Sequence, residues 1–381
     1  MSGSTLGNIF KITTWGESHG KGLGVVVDGC PAGLELSEAD IQKFLNRRKP
    51  GQSKFTTPRK EDDSVEILSG VFEGRTTGTP ISMLVWNTNQ KSKDYSEIAS
   101  YYRPGHADFG FDEKYGFRDY RGGGRSSGRE TIGRVAAGAI AVKILNQMGI
   151  HFLTYTKSIG SIAVDMDKFD AEEISNNSLY MPDADAAARA AEYLSKCIEN
   201  QNSAGGICEC LVTGLPVGLG EPVFDKLDAN LGKAVMSIGA VKGFEIGDGF
   251  AVAKSTGLDN NDTFIIDKNP INSCAESNKA GDNCKNIAKK TNHSGGVLGG
   301  MSDGSPLVFR AAFKPTPSIA STQHTVNRSG EEIEISIHGR HDPIIVPRAV
   351  VVVESMAAIT ILDLLLSNMT ARLDRIIDFY K

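Results

Sequence analysis

Along most of the chain, apolar residues come in short runs separated by glycine-bearing turns. Val25, Val26 and Val27 form a continuous apolar run and read as a buried strand, and residues 81–86 read as another. Ser37 is a natural N-cap for the segment that starts Glu38-Ala39-Asp40-Ile41, with Asp40 in the first turn, so a helix begins there. Ser127 and Glu130 have the Ser-x-x-Glu spacing of a capping box, which predicts a helix running to Met148 and stopped by Gly149. The body of that helix, Val135-Ala136-Ala137-Gly138-Ala139-Ile140-Ala141-Val142, is small and apolar nearly all round. A helix of this kind has no face for water, so it should be buried and closely packed.

Further on, the pattern predicts an amphipathic helix at 185–200, a strand at 207–212 and a helix at 224–236. Strand-like segments follow at 307–309 and 333–337, and a closing helix runs from about 353 to 379. Residues 103–128 are rich in glycine, aromatic and charged residues without a sustained period, and read as loop. Residues 255–292 are polar and read as a long mobile loop, either a lid or a tolerated insertion. No repeat or interdomain linker interrupts the chain, so 1–381 is read as a single domain. Strands and helices interleave irregularly, and no Gly-x-Gly-x-x-Gly leads from a strand into a helix, which argues against a dinucleotide fold.

Composition changes this picture in two places. The longest apolar stretch, 349–366, is interrupted by Glu354, Ser355, Thr360 and Asp363, and the N-terminus lacks a signal-peptide succession, so no membrane partner and a cytoplasmic location are expected. The six cysteines show no CxxC spacing and read as free thiols, with no metal site. The formal net charge of −5 argues against nucleic acid, yet cations are concentrated in two segments. Arg47, Arg48, Lys49, Lys54, Arg59 and Lys60 make up the first, and Arg118, Arg121, Arg125, Arg129 and Arg134 the second. Such clusters suit a small, multiply charged anion. A pair of solvated basic faces is the alternative, and for the first cluster Glu61, Asp62 and Asp63 follow at once.

Four glycine-bounded segments hold nearly every candidate catalytic group. Gly16-Glu17-Ser18-His19-Gly20 and Arg103-Pro104-Gly105-His106-Ala107-Asp108 each place a histidine in a tight turn, where an imidazole can face a cleft and exchange protons near neutral pH. Asp119-Tyr120-Arg121-Gly122-Gly123-Gly124-Arg125-Ser126-Ser127-Gly128-Arg129-Glu130-Thr131 combines close backbone approach, a helix start and two arginines suited to phosphate or carboxylate. Gly339-Arg340-His341-Asp342-Pro343 puts a cation beside a carboxylate that could accept a proton. Gly295–Gly300 and Lys314-Pro315-Thr316-Pro317-Ser318 add backbone N–H groups, a lysine and hydroxyls. Solvated turn histidines and a structural ion pair remain open readings of the individual motifs.

In this order and spacing, the four segments resemble the chorismate synthase family along almost the whole chain. The resemblance implies an α+β fold, a β-α-β sandwich with helices packed between antiparallel sheets, assembled as a homotetramer. It implies a carbon–oxygen lyase that removes the 3-phosphate and a C6 hydrogen from 5-enolpyruvylshikimate-3-phosphate in a 1,4 anti elimination, giving chorismate. Reduced FMN (FMNH2) is implied as cofactor, lending an electron and recovering it. By position, His19 would protonate the departing phosphate, His106 would protonate the flavin or set its charge, and Asp342 would relay a proton from flavin N5. Arg48, Lys54, Arg59, Arg103 and Arg129 would bind substrate, and the Arg48 and Lys54 positions are also associated with NADP. FMN would be held by Arg125, Ser126, Ser127, Gly239, Ala240, Gly299, Lys314, Pro315, Thr316, Pro317, Ser318 and Arg340.

The chain departs from the family pattern in places: Gly239 stands where a side-chain amide is usual, Lys54 where arginine is frequent, and Ile344 and Val351 where Cys and Pro are usual. Gln201-Asn202-Ser203-Ala204 occupies the place of a common Asp-Ser pair. None of these touches the acid–base groups. Two other readings compete: a flavin reductase using NADPH, and a non-catalytic anion- or RNA-binding protein. Aromatics at 7% and a negative net charge disfavour RNA.

Overall fold

The valine run at 25–27 lies in a strand, Gly22–Asp28, that pairs antiparallel with Lys11–Gly16 on one side and Ile81–Trp86 on the other. The protein is described here from a computed structural model covering residues 3–52, 55–56, 62–87, 97–121, 123–266, 287–337 and 342–381. Thr5–Leu6 and Val65–Ile67 complete a five-stranded antiparallel sheet at its two edges. A second five-stranded antiparallel sheet runs in the order Val241–Ile246, Leu307–Phe313, Gly206–Thr213, His151–Ile159, Ile162–Ala163.

Between the sheets lies a layer of helices. The alanine-rich helix Thr131–Gln147 packs on the first sheet and on the long helix Val346–Asn368, which in turn packs on His151–Ile159 and Gly206–Thr213 of the second. Glu38–Arg48 and Leu227–Met236 fill out the layer. The fold is therefore α+β, a sheet–helix–sheet sandwich. Period-2 alternation explains how the second sheet meets the helices: Leu307, Phe309, Ala311 and Phe313 are buried, while the residues between them are only partly so. Cys208 and Cys210 are likewise fully buried on one face of their strand, with Glu209 on the other, bonded to Tyr155 and Arg310. Burial pushes the Cys30 thiol up to about 11 and those of Cys208 and Cys210 higher still, so all three stay protonated. These three and Cys197 are free; Cys274 and Cys284 lie outside the described residues.

The two central helices cross in backbone contact. A Cβ on Gly138 would lie 2.2 Å from the Ser355 Cβ. Gly138→Ala is therefore expected to lower stability by about 1–3 kcal/mol, against the roughly 1 kcal/mol that alanine's helix preference contributes in the other direction. Denaturant unfolding of the variant measures the difference, and equal or greater stability would show that the crossing is loose.

Several expectations are corrected. Residues 103–128 contain a helix, Asp108–Tyr115, closed by Gly116 in the left-handed conformation. Its buried side chains are the carboxylates Asp108 and Asp112, close to Arg103 and Arg118, so an apolar period could not reveal it. Ser127 caps a single 3-10 turn, Gly128–Glu130, and the α-helix starts only at Thr131. Glu130 completes no capping box; it accepts from Arg134 and Thr14 instead. The helix expected from 224 begins at Leu227.

The closing helix is two helices, Val346–Asn368 and Leu373–Tyr380. The first is long and apolar enough to cross a membrane by length and composition, but 89% of its apolar window is buried within the sandwich. Of the polar stretch 255–292, residues 267–286 lie outside the described residues. Its flanks form a short helix, Gly257–Asn260, and a hairpin of Phe264–Ile266 with Ile287–Lys289.

Candidate active site

A cavity of about 610 Å³ opens at one end of the helix layer, a size suited to small-molecule ligands. Six segments converge on it: the end of the Glu38–Arg48 helix, the turn around His106, residues 123–131, the turn 237–240, the strand end at 313–318 and the start of the Val346–Asn368 helix. Arg48, Arg103, Arg125 and Arg129 line it together with Arg134, Lys314 and Arg348, against the carboxylates Glu130 and Asp342. The lining is thus strongly cationic.

Each cation is held by groups behind the wall. Arg48 is almost wholly buried and donates from Nη1 to Asp63 (2.7 Å), from Nε to Thr131 Oγ1 (3.1 Å) and from Nη2 to the Gly128 carbonyl (3.4 Å). Burial pulls its pKa down to about 10, which still leaves it charged near neutral pH. Arg103 forks onto Asp108 with two 2.7 Å bonds, closing its own turn. Arg129 donates from Nε and Nη2 to Asn87 Oδ1 and lies 3.2 Å from Asp63 through Nη1. Arg125 donates to the carbonyls of Gly16 and Thr14, and Arg134 to Glu130 and Ser237. Arg348 pairs with Asp342 and donates to the Arg48 carbonyl.

His106 is fixed at both ring nitrogens. Nδ1 lies 3.1 Å from the Pro104 carbonyl, which can only accept, so Nδ1 carries the proton; Nε2 lies 3.0 Å from Ser318 Oγ and accepts from it. Burial, with the Arg103 charge nearby, pulls His106 down to about 4. Because this lies below the ordinary 6.5, the unfolded chain takes up the proton first as pH falls. Stability should therefore drop as pH falls from about 6.5 to about 4, through this residue alone. The difference in unfolding free energy between wild type and His106→Gln should vary across that window and level off above it. A constant difference would place His106 in an unperturbed environment.

The cavity also brings together Ser126, Ser127, Gly239, Ala240, Thr316, Pro317, Ser318 and Asp342. His19, Gly299 and Pro315 are not on its wall. His19 lies on the neighbouring turn, its Nδ1 3.1 Å from Ser18 Oγ. That turn is tied to the site by Arg125 on the Gly16 carbonyl and by Asn87 Nδ2 on the carbonyls of Glu17 and Gly20. Gly299 sits in the tight turn joining Val297–Leu298 to Met301–Ser302. Lys54, Arg59 and Arg340 lie outside the described residues. Arg134 and Arg348 were visible in sequence, as a member of the second cluster and as a neighbour of the last motif, yet nothing marked them as cavity residues. Asp63 had no signal beyond an acidic run.

The cations and hydroxyls of the wall, with open space beside Gly239, fit a phosphate-bearing group beside a polyanion. Nothing lies within 4 Å of where a Gly239 Cβ would be, and Ala240 beside it holds a left-handed φ of 71°, a strained backbone that turns this segment along the cavity. Ser127 Oγ accepts from the Arg129 amide at the mouth of the helix start. Among the described residues, no group of three or more His, Cys, Asp or Glu could hold a metal.

A sheet–helix–sheet sandwich with an arginine-walled cavity and a histidine and a carboxylate at its edge defines an enzyme acting on a small polyanion. The family model described as chorismate synthase matches residues 10–366. The chain is 76% identical to the chorismate synthase of Agathobacter rectalis and 65% identical to that of Lachnospira eligens, each over the full length of both chains. A crystal structure of a chorismate synthase superposes with a TM-score of 0.74 at 30% identity, covering 98% of each chain. The chain belongs to the chorismate synthase family, and it is a lyase.

Proposed function

We propose that the cavity binds 5-enolpyruvylshikimate-3-phosphate together with reduced FMN and eliminates phosphate to give chorismate. The observation that carries this is the cationic wall, in which guanidinium groups are already oriented by Asp63, Asp108, Asn87 and Glu130. A leaving phosphate develops charge, and fixed cations in a partly enclosed site stabilise it without reorganising. The chemistry that reduced FMN would supply when bound is the transient loan of an electron, with no net oxidation.

The chain's own groups do the rest. Arg48, Arg103 and Arg129, with Lys54 and Arg59, hold the substrate's phosphate and carboxylates. Arg125, Ser126, Ser127, the backbone at Gly239 and Ala240, and Lys314, Thr316, Pro317 and Ser318 hold the cofactor from the cavity wall, while for Gly299, Pro315 and Arg340 that role rests on the family resemblance. His106 keeps its proton on Nδ1 and accepts from Ser318 at Nε2, and a bound anion nearby favours its protonation, through which it protonates the flavin or sets its charge. His19 protonates the leaving phosphate from the adjoining turn. Asp342, tethered by Arg348, accepts a proton at its carboxylate.

A cytoplasmic homotetramer completes the reading. The location and the number of copies rest on the family resemblance, and association between copies would cover Phe224, Phe250 and Leu258, each at least 80% exposed. The decisive assay is anaerobic chorismate formation from the enolpyruvyl ester with reduced FMN, run with and without NADPH. Product with reduced FMN supports the reading, and activity with oxidised FMN plus NADPH alone shows that the protein also reduces its flavin. No product under any of these conditions would sink it.

A further inference from the structure

Behind the anion wall, one carboxylate touches two of its arginines. Asp63 is 4% exposed, lies 2.7 Å from Arg48 Nη1 through Oδ2 and 3.2 Å from Arg129 Nη1 through Oδ1. Its backbone holds φ at 47°, a left-handed conformation that a non-glycine residue adopts at a cost. Gln42 Nε2 pins that backbone by donating to the Asp63 carbonyl at 3.3 Å. The two arginines come from elements far apart in the chain, the end of the Glu38–Arg48 helix and the turn before Thr131. Without a shared acceptor, two adjacent guanidinium groups would repel each other. Asn87 holds the other edge of Arg129 through Nε and Nη2, so the guanidinium is fixed between Asn87 and Asp63.

We propose that Asp63 is a positioning residue for substrate binding, clamping Arg48 and Arg129 side by side so that they meet the substrate's anionic groups as a preformed pair. The proposal rests on the assignment of this cavity to the phosphorylated substrate. Asp63 touches no ligand itself; it sets the spacing and orientation of the two cations, and with them how much binding energy is lost to rearrangement.

Asp63→Gly and Asp63→Asn test this against Arg129→Ala. Glycine accepts the left-handed backbone and leaves a space that formate can enter, while asparagine keeps the shape without the charge. In both variants KM for the enolpyruvyl ester should rise about tenfold to a hundredfold, kcat should change much less, and FMN affinity should stay near wild type. Added sodium formate should lower the KM of Asp63→Gly but not of wild type, with sodium chloride at equal ionic strength as control. Combining Asp63→Asn with Arg129→Ala should cost less than the sum of the two.

A rise in KM matched by an equal loss of FMN affinity and a lowered melting temperature, without formate rescue, would assign Asp63 to folding alone and overturn the proposal. An unchanged KM in both Asp63 variants while Arg129→Ala raises it would overturn the proposal and leave the cavity assignment standing. Should Arg129→Ala itself leave KM unaltered, the cavity assignment fails and the role of Asp63 fails with it.

Discussion

His106→Ala should lower turnover by about 10²-fold or more while the protein stays folded, the span usual for loss of a group that moves or holds a proton. The reasoning starts from the turn. Arg103 closes it by forking onto Asp108, and Gly105 holds a left-handed φ of 69° where a Cβ would lie 2.7 Å from Pro317. Pro104 and Ser318 then fix which nitrogen carries the proton. In the ligand-free protein, burial and Arg103 keep the ring neutral, with its pKa pulled down to about 4. A polyanion bound against the same wall reverses the sign of the local field, so the His106 pKa should rise when substrate and flavin bind. Histidine-selective NMR titration, with only seven histidines to resolve, would follow this directly. His106→Ala with wild-type turnover removes the residue from the mechanism. A pKa that stays near 4 in the ternary complex leaves it a neutral hydrogen-bonding group.

Arg48→Ala has a second large effect, on stability as well as on substrate. Read from sequence, Arg48 is one of a run of mutually repelling cations, and its removal should barely alter stability. The structure reverses that expectation. Arg48 is 2% exposed, all three of its guanidinium nitrogens are engaged, and its loss would leave the buried Asp63 with Arg129 as its ion-pair partner among the described residues. Removing one member of a buried pair costs about 3–5 kcal/mol, because the remaining charge stays desolvated. Denaturant unfolding should therefore show a loss of that order, with substrate KM rising in parallel. Arg48→Lys keeps the charge but cannot reach Asp63, Thr131 and Gly128 at once, and should recover only part of both losses. Unaltered stability in Arg48→Ala would mean that water replaces the guanidinium at little cost.

How much was legible in the sequence varies by element for physical reasons. The alanine-rich helix was readable as buried because small apolar residues on every face leave nothing for water, whatever surrounds it. The strand at Ile81–Trp86 was readable to the residue, and the Glu38–Arg48 helix was readable from Ser37 and Asp40, since caps and short apolar runs are local signals. By contrast, Asp108–Tyr115 was missed because its inward face is made of carboxylates whose partners lie outside it. The break after Asn368 was missed because apolar residues continue on both sides of it.

The candidate site divides in the same way. Sequence by itself determined which segments carry chemistry, because histidines, arginines and hydroxyls gathered in glycine-bounded turns form patterns that exist along the chain. It also determined the order of those segments, on which the family resemblance rests. Only the tertiary structure decided that His106, Asp342 and the arginines share one cavity, that His19 sits on an adjoining turn, and that Asp63 belongs with Arg48 and Arg129. The reason is the range of the interactions involved. Propensity and capping act over a few residues, whereas Asp63 reaches Arg48 15 positions away and Arg48 reaches Thr131 83 positions away. Charge pairing depends on distance in space and on exclusion of water, and neither is written in the local order of residues.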